Sequence, residues 1–321
     1  MSALLFSYEV DAKGHASPLS NTDINYHPPK GHYVWLHFDA LHADTRTWLT
    51  ADVDVDNVAT RTLLADDSRP RTIVHDDAIL MNLRGVNLNP GAAPEDMVGI
   101  RFFIQEDRVI SVERRPLRAT RDMAERLQRH NAPVTTGTFL ANFALMLTER
   151  MNPTIIEINE QVDALEEQID DPKNWLDVSK LSELRRESIL LRRYMAPQRD
   201  ALNSLTLQNV DFITDDDRLR VREAADQATR VNEELDAVRE RCAIVKDQLT
   251  DQRAEQMNRN MMLLSVVAAI FLPLGLISGM MGINVGGMPW VENGNGFWYV
   301  TAIVVVIGLI QLLIFRLLKW L

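Results

Sequence analysis

The residue order predicts an α+β portion followed by one long helix and two membrane-spanning helices. Short strand-like runs separated by turn residues fill about the first 115 positions of the 321. Neither Gly nor Pro occurs from Thr214 to Leu272, and two charge-poor apolar runs close the chain.

Within the first part, YVWLHF at Tyr33 to Phe38 and AILMNL at Ala78 to Leu83 read as strands, with a helix that includes Trp48 between them. In GIRFFIQEDRVISVER, Ile100, Phe102 and Ile104 alternate, the chain turns near Glu106 and Asp107, and the pattern resumes at Val109, as in a hairpin. From Arg118 onward the signals are helical. Asn152-Pro153 starts one helix, with Asn as N-cap and Pro at the first position, and Asp171-Pro172 ends it. A further helix begins near Ser179 and runs past Tyr194, where Pro197 is expected to bend or end it. Thr214 and the acidic Asp215, Asp216 and Asp217 then supply a cap and a favourable first turn for the longest helix. The expected divisions are an α/β part over 1–117, a helical part over 118–213, a stalk helix over 214–260, a first span over 261–283, a loop over 284–296 and a second span over 297–318.

If the long helix is unbroken from Arg218 to Met281, its 64 residues cover about 96 Å at ~1.5 Å each. Val221, Ala224, Ala228, Val231, Leu235, Val238, Cys242, Val245 and Leu249 keep a seven-residue repeat, the seam by which a stalk packs against other helices. Gln252 and Gln256 continue the seam in polar form, which suits a stalk opening around a water-filled axis. Cys242 lies on this seam as a small packing residue, and as the single cysteine it permits no internal disulfide.

Met261 to Ile283 runs 23 residues without a charge, and Phe297 to Leu318 runs 22 with Arg316 alone. Each is long enough to cross the hydrocarbon layer. Arg253, Arg259, Arg316 and Lys319 flank the spans, while the connecting loop from Asn284 to Gly296 holds no Lys or Arg, so both termini are expected in the cytoplasm. Trp290, Trp298 and Tyr299 would then lie at the outer interface and Trp320 at the inner one. The run from Ala3 to Phe6 is too short for a signal peptide. Up to Asn258 there are 31 basic against 44 acidic residues, a net of −13 within the −11 of the whole chain. Such a domain attracts cations and repels nucleic acid and anionic lipid.

At about 100° per residue, Asn258, Met261, Ser265, Ala268, Leu272, Gly275, Gly279 and Gly282 form one stripe along the first span. Asp247, Asp251 and Glu255 extend a neighbouring part of it toward the cytoplasm. Repeated around a symmetry axis, the stripe makes a pore with an acidic inner vestibule, apolar constrictions at Met261 and Leu272, and a polar outer ring. Alternatively, Gly275 and Gly279 let helices pack closely, with the carboxylates on a solvated face.

The first span closes in Gly282-Ile283-Asn284, Pro273 lies within it, and the loop NVGGMPWVEN leads to a second span. This arrangement resembles the CorA superfamily of divalent-cation transporters, whose usual signature is Gly-Met-Asn, and within it the ZntB zinc-transporter branch. The resemblance implies an acidic cytoplasmic domain in α/β/α layers, a long stalk helix and two spans, assembled as a funnel-shaped homopentamer in a bacterial inner membrane. It implies that the first span lines the pore and the second faces lipid. It places Asn284 and the Gly282 backbone at the outer ring, Asn258, Met261, Leu264, Leu272 and Gly275 facing inward, and Asp247 in the inner vestibule. Ile283 stands where CorA proper has Met, a departure that bears on the choice of metal.

An Asn carbonyl is a hard, neutral oxygen able to hold the waters around a divalent ion without trapping the metal. Glu292, the one charge of the loop, could concentrate cations; as a lone exposed carboxylate it could equally be inert. Zinc favours His and Cys ligands, and the pore stripe offers none. His15, His27, His32, His37, His42, His75 and His130 all lie in the first 130 residues, and the five-residue spacing of His32, His37 and His42 matches neither one strand face nor one helix face. Zinc is therefore expected to pass largely hydrated, with no resident cofactor and no direct protein ligand in the pore. The branch implies proton-linked uptake, yet neither span holds a carboxylate or His to relay a proton. Asp247, Asp251, Glu255, Glu292 or hydrated ions in the axis would have to serve. No nucleophile, general base or phosphate motif supports an enzyme. The alternatives are a magnesium or broad divalent channel of the same architecture, and a non-conducting membrane-anchored coiled-coil scaffold.

Overall fold

The computed structural model describes residues 3–19, 27–66, 69–75, 77–129, 131–169, 178–283, 285–290 and 292–318. Two compact units partition the chain, Met1–Val245 and Lys246–Leu321.

The first unit is built on a seven-stranded sheet: β1 (Leu4–Val10), β2 (Ala16–Pro18), β3 (Tyr33–Asp39), β4 (Arg71–His75), β5 (Ala78–Gly85), β6 (Val98–Ile104) and β7 (Arg108–Glu113). Their spatial order is β2-β1-β3-β7-β6-β5-β4. Only the central β3–β7 pair is parallel; the others are antiparallel, and β6–β7 is the hairpin the alternation predicts, with Phe103 opposite Ile110 and Ile104 opposite Val109. Because β3 is central, both its faces are buried, which is why YVWLHF is a nearly continuous apolar run instead of an alternating one. Leu36 and Phe38 join a core with Leu49, Ala59 and Leu63 on one face. Trp35, pointing the other way, packs on Phe139 with ring centroids 5.1 Å apart, and Phe102 meets Phe143 at 4.9 Å. Helices on both sides of the sheet give the α/β/α layers.

Around Trp48 the chain is less regular than one helix. A single turn, α1 (Thr45–Thr47), runs into a π-helical turn (Trp48–Asp52), and α2 (Asn57–Leu63) follows. Asp56 starts α2 by accepting from Val58 N at 2.7 Å and Ala59 N at 2.9 Å, so the helix begins afresh where a cap is available. On the other face lie α3 (Arg118–Gln128) and α4 (Thr136–Glu149). The strand residue Glu113 caps α3 by accepting from Leu117 N at 3.1 Å and Thr120 Oγ1 at 3.1 Å.

Three long helices follow: α5 (Asn152–Ile169), α6 (Val178–Leu207) and α7 (Asp215–Met281). The expected stop at Asp171-Pro172 lies outside the described residues. Pro197 does not end α6, which continues ten residues to Leu207. The stretch past the proline is docked on the sheet edge: Gln198 Oε1 accepts from Arg84 N at 2.7 Å, and the Ala201 carbonyl accepts from Thr72 Oγ1 at 2.7 Å. Thr214 caps α7 as a capping box in which Asp217 takes the reciprocal role: Asp217 N donates to Thr214 Oγ1 at 3.2 Å and Thr214 N to Asp217 Oδ2 at 3.1 Å.

The seam of α7 is buried from Val221 to Val245, with Cys242 at 1 % exposure, and ion pairs beside it tie the helix to α5 and α6 of the same chain. Arg241 reaches Glu166 and Asp163 on α5, and Arg192 of α6 pairs with Asp236 at 2.8 Å. Leu249 is half-buried, and from Thr250 to Ser265 every residue is exposed. The loss of grease at Gln252 and Gln256 thus coincides with the emergence of the helix into exposure.

Candidate functional site

The second unit holds the end of α7 and α8 (Gly296–Leu317). Both helices are long and apolar enough to cross a membrane, and only 6 % of each one's most apolar stretch is buried. A core helix of a soluble domain would hide most of that surface.

α8 covers one face of α7. Val266 is buried, and Ala269, Ile270, Leu274, Ile277 and Met281 are half-buried. Gln311 Nε2 of α8 donates to the Ala269 carbonyl at 3.2 Å, and a Cβ built on Gly308 would lie 3.7 Å from Leu274 Cδ1. At 100° per residue the covered positions centre opposite the polar-to-small stripe. Asn258, Met261, Leu264, Ser265, Leu272, Gly275, Gly279 and Gly282 are exposed and Ala268 is half-buried. Leu264 and Leu272 are 70 % and 72 % exposed, and a Cβ at Gly275 or Gly279 would meet nothing within 4 Å. Within one chain, then, the glycines serve no close helix contact. Ser265 Oγ donates back to the Met261 carbonyl at 2.9 Å, which leaves its oxygen lone pairs as the outward polar feature.

On the N-terminal side of the stripe Asp247, Asp251 and Glu255 are all exposed. At its C-terminal end the helix closes as Gly282 N donates to the Ser278 and Gly279 carbonyls, both at 3.1 Å, and Ile283 N to Met280 O at 3.3 Å. Asn284, Lys319 and Trp320 lie outside the described residues. The loop folds tightly: Gly296 sits so close to Trp290 that a Cβ would come within 2.6 Å of its carbonyl oxygen, and Trp290 itself holds φ 60. Its ring lies 6.2 Å from that of Tyr299. Exposed Glu292 shares a hollow with Met288, Trp290 and Asn293.

Among the described residues the histidines do not converge. His15 contacts Asp11 at 3.1 Å, His32 contacts Glu9 at 2.9 Å, and His27 contacts Arg108 at 3.0 Å. His37 is fully buried, bonded to Ser111 Oγ at 2.7 Å and 3.4 Å from Glu113. His130 lies outside the described residues. Among the described residues no group of three or more His, Cys, Asp or Glu is arranged to hold a metal ion.

Two features escaped the sequence reading. Gln311 looks like a stray polar residue until α8 is laid on α7. Glu187, on α6, is brought near Glu95 and Glu157; burial first, and then those two carboxylates, push its carboxyl up to about 7.

Residues 30–319 match the family model described as CorA-like Mg2+ transporter protein. The chain belongs to the CorA family. This CorA-family chain is 38 % identical over 290 residues to a protein of Pseudomonas aeruginosa named divalent cation transporter CmaX, covering 90 % of the chain and 87 % of the relative. It is 32 % identical over 309 residues to the zinc transport protein ZntB of Pectobacterium carotovorum subsp. carotovorum, covering 96 % and 93 %. The solved structure of full-length CmaX superposes with a TM-score of 0.87 at 35 % identity, covering 99 % of the CorA-family chain and 98 % of CmaX.

Proposed function

We propose that this chain carries divalent cations, zinc foremost, across a bacterial inner membrane, as a homopentamer whose first spans surround the pathway, with both termini cytoplasmic. The observation that carries the reading is the face of α7 turned away from α8, polar at Asn258, small from Gly275 to Gly282 and uncovered in the single chain. Hydrocarbon gives no reason to expose a glycine-lined stripe on a spanning helix; a symmetric copy and a hydrated ion do. The name of the ZntB relative and its 96 % coverage of this chain support zinc. Family membership supports ion passage as the activity, and no enzymatic step belongs to the reading.

In this pathway Asn284 and the Gly282 backbone form the outer ring with Ile283 beside them. Met261, Leu264 and Leu272 constrict it, Ser265, Ala268, Gly275 and Gly279 line it, and Asp247, Asp251 and Glu255 draw cations at the inner end. Glu292 raises the cation concentration at the mouth. Proton coupling, as part of the same reading, falls to these carboxylates or to hydrated ions in the axis, since the spans hold no carboxylate or His.

A second reading, a broad divalent channel that includes magnesium, is favoured by the printed name of the 38 % identical relative and by the family description. Zinc and magnesium flux into proteoliposomes, with and without an imposed pH gradient, decides between them. Zinc flux that exceeds magnesium flux and responds to the gradient supports the first reading. N284A is expected to abolish most flux while the oligomer still assembles; unchanged flux in N284A would remove the amide ring from the mechanism.

A further inference from the structure

Pro273 breaks the hydrogen-bond ladder of α7 inside the span by covalent necessity. Its nitrogen carries no hydrogen, so the carbonyl four residues earlier, that of Ala269, loses its own helix donor. In hydrocarbon no water replaces that donor, and the vacancy must be met by protein.

The carboxamide of Gln311 meets it. Gln311 Nε2 donates to Ala269 O at 3.2 Å, and no other Asn or Gln occurs in α8. Its Oε1 is shielded and has no partner among the described residues, so the donor side alone orients this amide. One turn earlier on α8, a Cβ added at Gly308 would make ordinary van der Waals contact with Leu274 Cδ1, at 3.7 Å. The two spans thus approach closely at the level of the proline, and a side chain from one reaches the backbone of the other.

We propose that Gln311 is a positioning residue, the substitute donor for the carbonyl that Pro273 orphans, fastening the second span to the first beside Leu272. With the bond made, the parts of α7 on either side of Pro273 are held against α8, and the Leu272 side chain keeps its place on the opposite face. Breaking it leaves an unsatisfied carbonyl in lipid, so hinging at the proline is penalised. The bond is a property of the spans alone; its effect on flux rests on the transport reading.

The test is a double-mutant cycle with the full-length protein. P273A restores a backbone N–H four residues after Ala269, so Gln311 becomes redundant in that background. Q311L is expected to lower the melting temperature in detergent by about 2–4 °C with Pro273 present and by less than about 1 °C in P273A. In proteoliposomes Q311L is expected to lower the maximal zinc rate about three- to tenfold with KM unchanged, and under about twofold in P273A. Should P273A fail to assemble, P273L restores the same N–H. Equal losses in both backgrounds, or none in either, would overturn the proposal. If even the unsubstituted protein moves no cation, the transport reading fails while the melting cycle still decides the tie.

Discussion

Gly275→Ala and Gly279→Ala separate a pore face from a packing face. In one chain a Cβ at either site meets no atom within 4 Å, so neither substitution carries a steric cost there. Helix propensity favours Ala over Gly by about 1 kcal/mol per site. Two other glycines calibrate the comparison: at Gly296 a Cβ collides with the Trp290 carbonyl oxygen at 2.6 Å, and at Gly308 it makes an ordinary 3.7 Å contact with Leu274. The expectation is that G275A and G279A leave the melting temperature unchanged or raise it by about 2–4 °C, whereas G296A lowers it. If every copy projects its added methyl into a shared narrow path, zinc flux in proteoliposomes falls by about tenfold or more in G275A and G279A. Unchanged flux with retained stability would refute the reasoning, because this face would then not bound the path. Lower melting temperatures in both variants would instead restore the close-packing explanation of the glycines.

Three further expectations concern the first unit. Glu187 rises from its usual 4.5 to about 7, so between those values the native state holds a proton that the unfolded chain has released. Stability therefore falls as pH rises through that window; E187Q should remove that part of the fall in melting temperature between pH 5 and pH 8, and an unaltered slope would exclude the cluster as its origin. Gly137→Ala would place a Cβ 2.7 Å from both Asp217 Oδ2 and the Phe212 carbonyl, beneath the cap of α7. Chemical unfolding should show a loss of about 1–3 kcal/mol. Replacing His15, His27, His32, His42 or His75 singly should leave zinc flux within about threefold, because among the described residues none belongs to a metal-holding group; abolished flux from any one would return zinc binding to the first unit.

Much of the architecture was legible because helices advertise themselves locally. The heptad seam from Val221, the cap at Thr214 and the two apolar runs each depend on residues a few positions apart, and α7 follows them over 67 residues. The opposite placement of the stripe and the α8-covered face also follows from helical rotation once the partner is known. The sheet was less legible. β2 and β4 are short and form its edges, β4 alternating exposed and half-buried positions, so little in either run marks it as a strand. Of the two outcomes open at Pro197, ending the helix does not occur, and the sheet-edge contacts past it come from Thr72 and Arg84, more than a hundred residues away.

Residue order alone settled that a long acidic helix leads into lipid-length segments, since hydrophobicity and charge act through composition and period. Only tertiary structure decided which face of the first span is left bare, that Gln311 answers Pro273, and that Glu95 and Glu157 come near Glu187. Those facts require distances between residues that covalent neighbours do not determine, and they arise where burial makes an unpaired donor, acceptor or charge costly.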